Sequence, residues 1–335
     1  MNKPGKARRW SAAAALVAGL ALVAGTLGAQ ERSLKLGHDQ VTDHTYHATT
    51  QFFAERVAEL SDGALEVAIF PGGQLGTETS MLSEVIDGNL DMSVSTTANA
   101  SSFVPQFGIL SVSYLFAGPE HFKKAVTDEE FNALLDETIA EVNPGFRRVA
   151  TMTPGARSVY SNQGPVADLD DLGGVKMRVM ASPVESQVWS ALGTLPVAIP
   201  FGEVYTGMQT GLIQAAENSP GSYILNKHYE VAPFYSVTEH QWPLSLIFMS
   251  ELAWEELSPE HQEAILQAGR ETAEFSVDDA IESDNQLLEA MEGEYGVKVN
   301  RLDTAQFVDT LEPLQDEVSS QLGTEEIVAR IRELR

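Results

Sequence analysis

The residues best placed to do chemistry begin with Arg178. It sits in Gly174-Val175-Lys176-Met177-Arg178-Val179, a run that reads as a short buried strand with one guanidinium set into it. Arginine stays ionised under ordinary conditions, and its planar donor fork matches a carboxylate or a phosphate. A charge inside a strand is costly unless something pairs with it. Its partner is either one of the chain's many acids or an anionic ligand, and the run itself leaves both open. Three further polar groups recur near predicted strand ends. Arg157 follows Gly155-Ala156, Thr96 and Asn99 lie in Ser95-Thr96-Thr97-Ala98-Asn99, and Asn218 closes Ala216-Glu217-Asn218. In open α/β sheets the carboxyl ends of strands are where ligands sit, although a polar run there also suits a surface turn.

Catalytic patterns are weak by comparison. No Gly-x-Ser-x-Gly elbow occurs, and Glu203 and Glu217 form a carboxylate pair only if the fold sets their separation. His44-x-x-His47 lacks the glutamate and third ligand that a zinc hydrolase needs. Gly72 to Gly76 lacks the Gly-Lys-Ser/Thr ending of a phosphate loop, so it reads as a tight turn. The expectation is a binding protein without catalytic residues, cofactor or metal.

The elements that must position these groups alternate. Strand patterns at Leu34–Gly37, Leu65–Phe70 and Leu90–Val94 alternate with helical patterns at His47–Leu60 and Glu78–Asp87. Such a β-α-β-α-β run predicts a mainly parallel sheet with helices on its faces. A helix is expected over Thr127–Glu141. The pattern then restarts, with strands at Arg148–Met152, Lys176–Met180 and Gln214–Glu217 and helices at Glu185–Leu192 and Val204–Gly211. Two α/β halves result. Ser258-Pro259-Glu260 is a good helix start and opens a long, mostly helical tract to Glu294.

The chain has 335 residues, room for about two domains, with 21 basic and 48 acidic residues and no cysteine. Nucleic acid is an improbable partner, because phosphate binding needs a basic face. The missing cysteines exclude disulfides and thiol catalysis. The N-terminus reads as a secretory signal peptide over residues 1–29. Lys3, Lys6, Arg8 and Arg9 precede an uncharged Ala/Leu/Val-rich run, and small residues follow up to Ala29. A retained anchor is the rival reading of that run. Cleavage would leave 17 basic against 48 acidic residues in an exported, periplasmic protein.

Several stretches together resemble one family. They are Phe70-Pro71-Gly72-Gly73-Gln74-Leu75-Gly76, Gly88-Asn89-Leu90-Asp91-Met92, Gly174 to Val179, Pro200-Phe201-Gly202-Glu203-Val204-Tyr205, and Glu217-Asn218. In this order and spacing they are similar to the solute-binding proteins of tripartite ATP-independent periplasmic (TRAP) transporters, the DctP-type family. The resemblance implies an α/β, two-lobed periplasmic-binding-protein fold with hinge-crossing strands and a long helix spanning both lobes. Lobe one would take residues 30–154 plus about 243–283, and lobe two 155–242 plus about 284–335. A monomeric receptor would capture a small organic acid between the lobes and deliver it to a membrane permease. Arg178 matches the family's carboxylate-binding arginine, Arg157 its second arginine, and Asn218 the asparagine of a Gln-Glu-Asn-Pro motif. Here that motif has Ala216 first and Ser219 last. Phe201 is implied to pack on the ligand's carbon skeleton. His38 matches a cleft-facing position, and Tyr223 and Trp242 are candidate cleft aromatics or plain packing groups. A sugar acid such as a uronate or aldonate is the favoured ligand, with a C4-dicarboxylate or 2-keto acid as the alternative. A secreted hydrolase or a ligand-sensing protein ranks below both.

Overall fold

A computed structural model describes residues 32–335. The signal peptide expected over 1–29 lies outside the described residues. The strands are β1 (Arg32–Gly37), β2 (Leu65–Phe70), β3 (Met92–Thr96), β4 (Phe146–Met152), β5 (Arg157–Ser161), β6 (Lys176–Val179), β7 (Leu195–Ala198), β8 (Ala215–Asn218), β9 (Phe234–Gln241), β10 (Ser245–Ser250) and β11 (Lys298–Arg301). They form two sheets, ordered β2-β1-β3-β10-β4 and β11-β9-β5-β8-β6-β7. The fold is α/β in two lobes, one built on each sheet.

The sheets are mixed rather than mainly parallel. β1 pairs in parallel with β2 and β3, but β10 runs antiparallel to both β3 and β4. In the second sheet β5 runs antiparallel to both β8 and β9. The reason lies in how the chain crosses between lobes. It leaves the first sheet through Thr153-Pro154-Gly155-Ala156, between β4 and β5, and returns through Trp242-Pro243-Leu244, between β9 and β10. The two crossings run in opposite directions, so their flanking strands pair antiparallel. Alternation in the sequence locates such strands without telling how each one arrives.

The helix Pro259–Glu294 is the third link between the lobes. Ser258 caps it, its hydroxyl oxygen accepting the His261 N–H at 3.3 Å, and Pro259 occupies the first turn. At 1.5 Å per residue it is roughly 50 Å long. It packs on β4 and on the helices Thr45–Leu60 and Pro119–Thr127, and further along on the helix Pro220–Leu225 and β11. Gly269, in mid-helix, lets it lie on the first sheet: a Cβ there would sit 1.7 Å from the Val149 carbonyl oxygen. The helix expected from Thr127 to Glu141 spans Glu129–Val142, preceded by a separate helix, Pro119–Thr127. Asp128 divides them by accepting the Phe131 N–H at 2.8 Å as an N-cap. The last helix, Glu325–Glu333, follows the second sheet's final strand in sequence but packs on Glu129–Val142, with Arg330 bound to Asp128 at 2.7 Å.

Candidate ligand-binding cleft

Between the sheets lies a cleft with an inner and an outer compartment. The inner one, of about 20 Å³, is walled by Arg178, Arg157, Asn218, Thr96, Tyr46 and Met180, among others. The outer one, of about 370 Å³, is bounded by the Gly72–Gly76 turn, Thr77, Thr79 and the Ala198–Gly202 segment. Asp39, Glu78, Asn99 and Phe201 border both, so the compartments adjoin. First-lobe walls come from segments just past the carboxyl ends of β1 and β3 and from the start of the helix Glu78–Ile86. Second-lobe walls come from the ends of β6, β7 and β8. Parallel strands β1 and β3 place their ends side by side, as do β6 and β7, and this is why groups far apart in sequence meet here.

The two arginines are equally buried, each 3% exposed, yet they differ in what holds them. Arg157 is fully engaged: Nε and Nη2 donate to the Glu217 carboxylate, Nη2 also to the Glu217 carbonyl at 2.7 Å, and Nη1 to Asn218 Oδ1 at 2.9 Å. Burial works against both charges, but the pairing outweighs it. Glu217 is therefore held down to about 2, and Arg157 is raised above its ordinary value. His240 Nε2 stands 3.4 Å from Glu217 Oε2. Arg178 has no such acid among the described residues; its one hydrogen bond runs from Nε to the Ile199 carbonyl at 3.1 Å. Burial, and then the nearby charge of Arg157, push its pKa down, though a guanidinium remains ionised.

Carboxylates face this cation across the cleft. Glu78 opens its helix behind the N-cap Thr77, and its Oε2 gathers Thr96 N–H at 2.8 Å, Thr96 Oγ1 at 2.9 Å, Asn99 Nδ2 at 2.7 Å and Ser95 Oγ at 3.2 Å. All four donors fall on one oxygen. Asp39 accepts from Gln40 Nε2 at 3.0 Å, and burial followed by the charge of Glu78 raises its pKa to about 7. Sequence reading missed Asp39, Glu78, Tyr46 and Ser222. Asp39 carried a usable signal, being two residues past the end of β1, and Glu78 stands at a helix start behind a glycine turn.

Of the residues proposed from sequence, Arg178, Arg157, Asn218, Phe201, Thr96 and Asn99 converge on the cleft. His38, Tyr223 and Trp242 do not line either compartment. His38 is fully buried and turned to His47, Nε2 to Nδ1 at 3.1 Å. Tyr223 donates to the Ala232 carbonyl at 2.7 Å and packs at a tilt against Tyr160 and Tyr235, ring centroids 4.8 and 4.9 Å away, in the second lobe's core. Trp242 packs 5.5 Å from Phe122 beside the hinge. The carboxylate pair considered from sequence does not form a site: Glu217 is tied to Arg157, while Glu203 is exposed.

The family description "bacterial extracellular solute-binding protein, family 7" (DctP) matches residues 36–321. The chain belongs to that family. It is 30% identical over 302 residues to the 2,3-diketo-L-gulonate-binding periplasmic protein YiaO of Escherichia coli, covering 89% of this chain and 90% of that one. A TRAP periplasmic solute-binding protein from a Bradyrhizobium species, solved with α/β-D-galacturonate, superposes with a TM-score of 0.84 at 30% identity, covering 90% of this chain and 100% of that one. Another from Roseobacter denitrificans, with β-D-glucuronate bound, gives 0.82 at 26% identity over 90% and 99%. The two-lobed fold of the DctP-type TRAP receptors is thus this chain's fold. The family's members are solute-binding receptors and not enzymes. Among the described residues no helix is long and apolar enough to cross a membrane.

Proposed function

We propose that this DctP-family receptor captures a monocarboxylic sugar acid, a hexuronate or an aldonate, with Arg178 gripping its carboxylate, and hands it to a TRAP permease. The observation that carries this reading is the contrast between the arginines. Arg157 has its internal acid, whereas Arg178 is buried in the cleft wall with none. A buried cation of that kind is tolerable if its work is to meet an anion arriving from outside. Two parallel charge-assisted bonds would fix the carboxylate's direction as well as its charge. The rest of the cleft favours hydroxyls over a second carboxylate. Asp39 and Glu78 would accept hydrogen bonds from a solute's hydroxyl groups, and the Glu78 carboxylate would repel a second anionic group, which counts against a C4-dicarboxylate. Phe201 supplies an apolar face for the carbon chain. The sugar acids named for the relatives fit the same division of labour. Such a receptor would work as an exported, periplasmic monomer with no bound cofactor, released from a signal peptide over residues 1–29.

The test is calorimetric titration of the purified chain with D-galacturonate, D-glucuronate, D-galactonate, pyruvate and succinate. Binding of one of the sugar acids, absence of binding by succinate, and loss of at least a hundredfold in affinity in Arg178→Ala are expected. Arg178→Lys should lose most of the affinity as well, because an ammonium lacks the fork. Unchanged affinity in either variant would refute the arginine grip.

A further inference from the structure

Asn99 borders the cleft, yet both ends of its amide are already in use. Nδ2 donates to Glu78 Oε2 at 2.7 Å, and Oδ1 accepts the backbone N–H of Ala181 at 3.0 Å. Ser102, one turn further on, donates its hydroxyl to the Ala181 carbonyl at 3.2 Å. The two polar backbone atoms of one second-lobe residue are therefore held by two first-lobe side chains. Ala181 is a telling place for such a grip. It lies three residues beyond Arg178, just past β6, and the next residue, Ser182, caps the helix Pro183–Ala191. Asn99 thus joins Glu78, on the first-lobe wall, to the backbone that carries Arg178. Thr96 Oγ1 touches the same segment, 3.6 Å from Met180 Sδ.

We infer that Asn99 and Ser102 form a closure clasp: they are positioning residues that hold the lobes shut over the solute and set how fast it leaves. The inference rests on the reading above, in which the cleft opens and closes around a sugar acid. The clasp bonds join atoms of different lobes, so they exist only while the lobes are together and add to the closed state alone. One net hydrogen bond of this kind changes the closed-to-open ratio by a factor of roughly two to ten. Capture happens from the open form, so the effect belongs to dissociation and not to association.

The chain has no cysteine, so cysteines introduced at the exposed Glu55 and Gln209, one in each lobe, take spin labels without interference. Distances between the labels and stopped-flow kinetics with D-galacturonate would be measured in the parent, in Ser102→Ala and in Asn99→Ala. Ser102→Ala leaves Glu78 untouched and isolates the clasp. It should lengthen the mean label distance and speed dissociation roughly two- to tenfold at constant association rate. Asn99→Ala should do the same more strongly. Folded variants with unchanged dissociation and distances, or with only a slower association, overturn the clasp. Failure of the parent to bind galacturonate removes the galacturonate reading instead. The same kinetics with the sugar acid that the parent does bind then judge the clasp, which requires faster dissociation in both variants.

Discussion

Arg157 and Arg178 show how one side chain takes two roles at equal burial. What separates them is a neighbour: Glu217 is ion-paired with the first, and no described acid lies within ion-pair distance of the second, although the charges of Glu217 and Glu185 reach it. Glu185 illustrates the same dependence for a carboxyl group. It is buried at the start of its helix, accepts from Gln241 Nε2 at 3.1 Å, and is raised to about 7 by burial and then by the charge of Glu217. Its folded pKa lies above its unfolded value near 4.5, so the folded state holds the extra proton between those limits. Stability from this group is therefore full below about 4.5 and is lost as pH rises through about 7. Glu185→Gln should melt at the parent's temperature near the low end and above it by a few degrees beyond the high end. Thermal melts of both proteins across that range check the prediction. A constant difference at every pH would assign the effect to packing instead.

At the scale of elements, the long helix and its crossing of the first sheet decide whether the lobes are held in place. Glycine inside a helix costs roughly 1 kcal/mol against alanine, so Gly269 looks unfavourable when the helix is considered alone. The contact with the Val149 carbonyl reverses that judgement, since backbone cannot move aside as a flexible side chain can. Gly269→Ala is expected to destabilise the protein by about 2 kcal/mol or more, because the helix must lift from β4. Chemical denaturation measures this directly, and a stabilised variant would show that the helix is free to shift. The Ser258-Pro259-Glu260 start announced a long helical tract with its cap. It carried no sign of the sheet beneath it. Likewise, apolar alternation located β1, β2 and β6, while the antiparallel entries of β5 and β10 came from short hinge connectors that no local pattern encodes.

For the whole molecule, the net charge of −27 sets long-range repulsion against a contact-range cation for an anionic solute. Surface fields reach about 30 Å at 0.01 M ionic strength but only about 8 Å at 0.15 M. The buried guanidinium acts within hydrogen-bond distance and is screened far less. The association rate for a sugar acid should therefore rise severalfold between those salt concentrations, while dissociation changes by less than about twofold. Stopped-flow measurements across a salt series test this, and an association rate that falls with salt would mean that the cleft's local field already dominates at a distance.

Residue types and their order, without coordinates, determined the family-wide features: two α/β halves, a long capped helix, and an arginine in a short strand where a charge must find a partner. Those follow from period, capping chemistry and the cost of burying charge, all of which act locally. Only the tertiary structure decided which arginine was already paired, that Asp39 and Glu78 face the cleft, and that His38, Tyr223 and Trp242 turn elsewhere. Pairing, desolvation and line of approach depend on atoms distant in the chain, and these meet only when the two sheets are folded against each other.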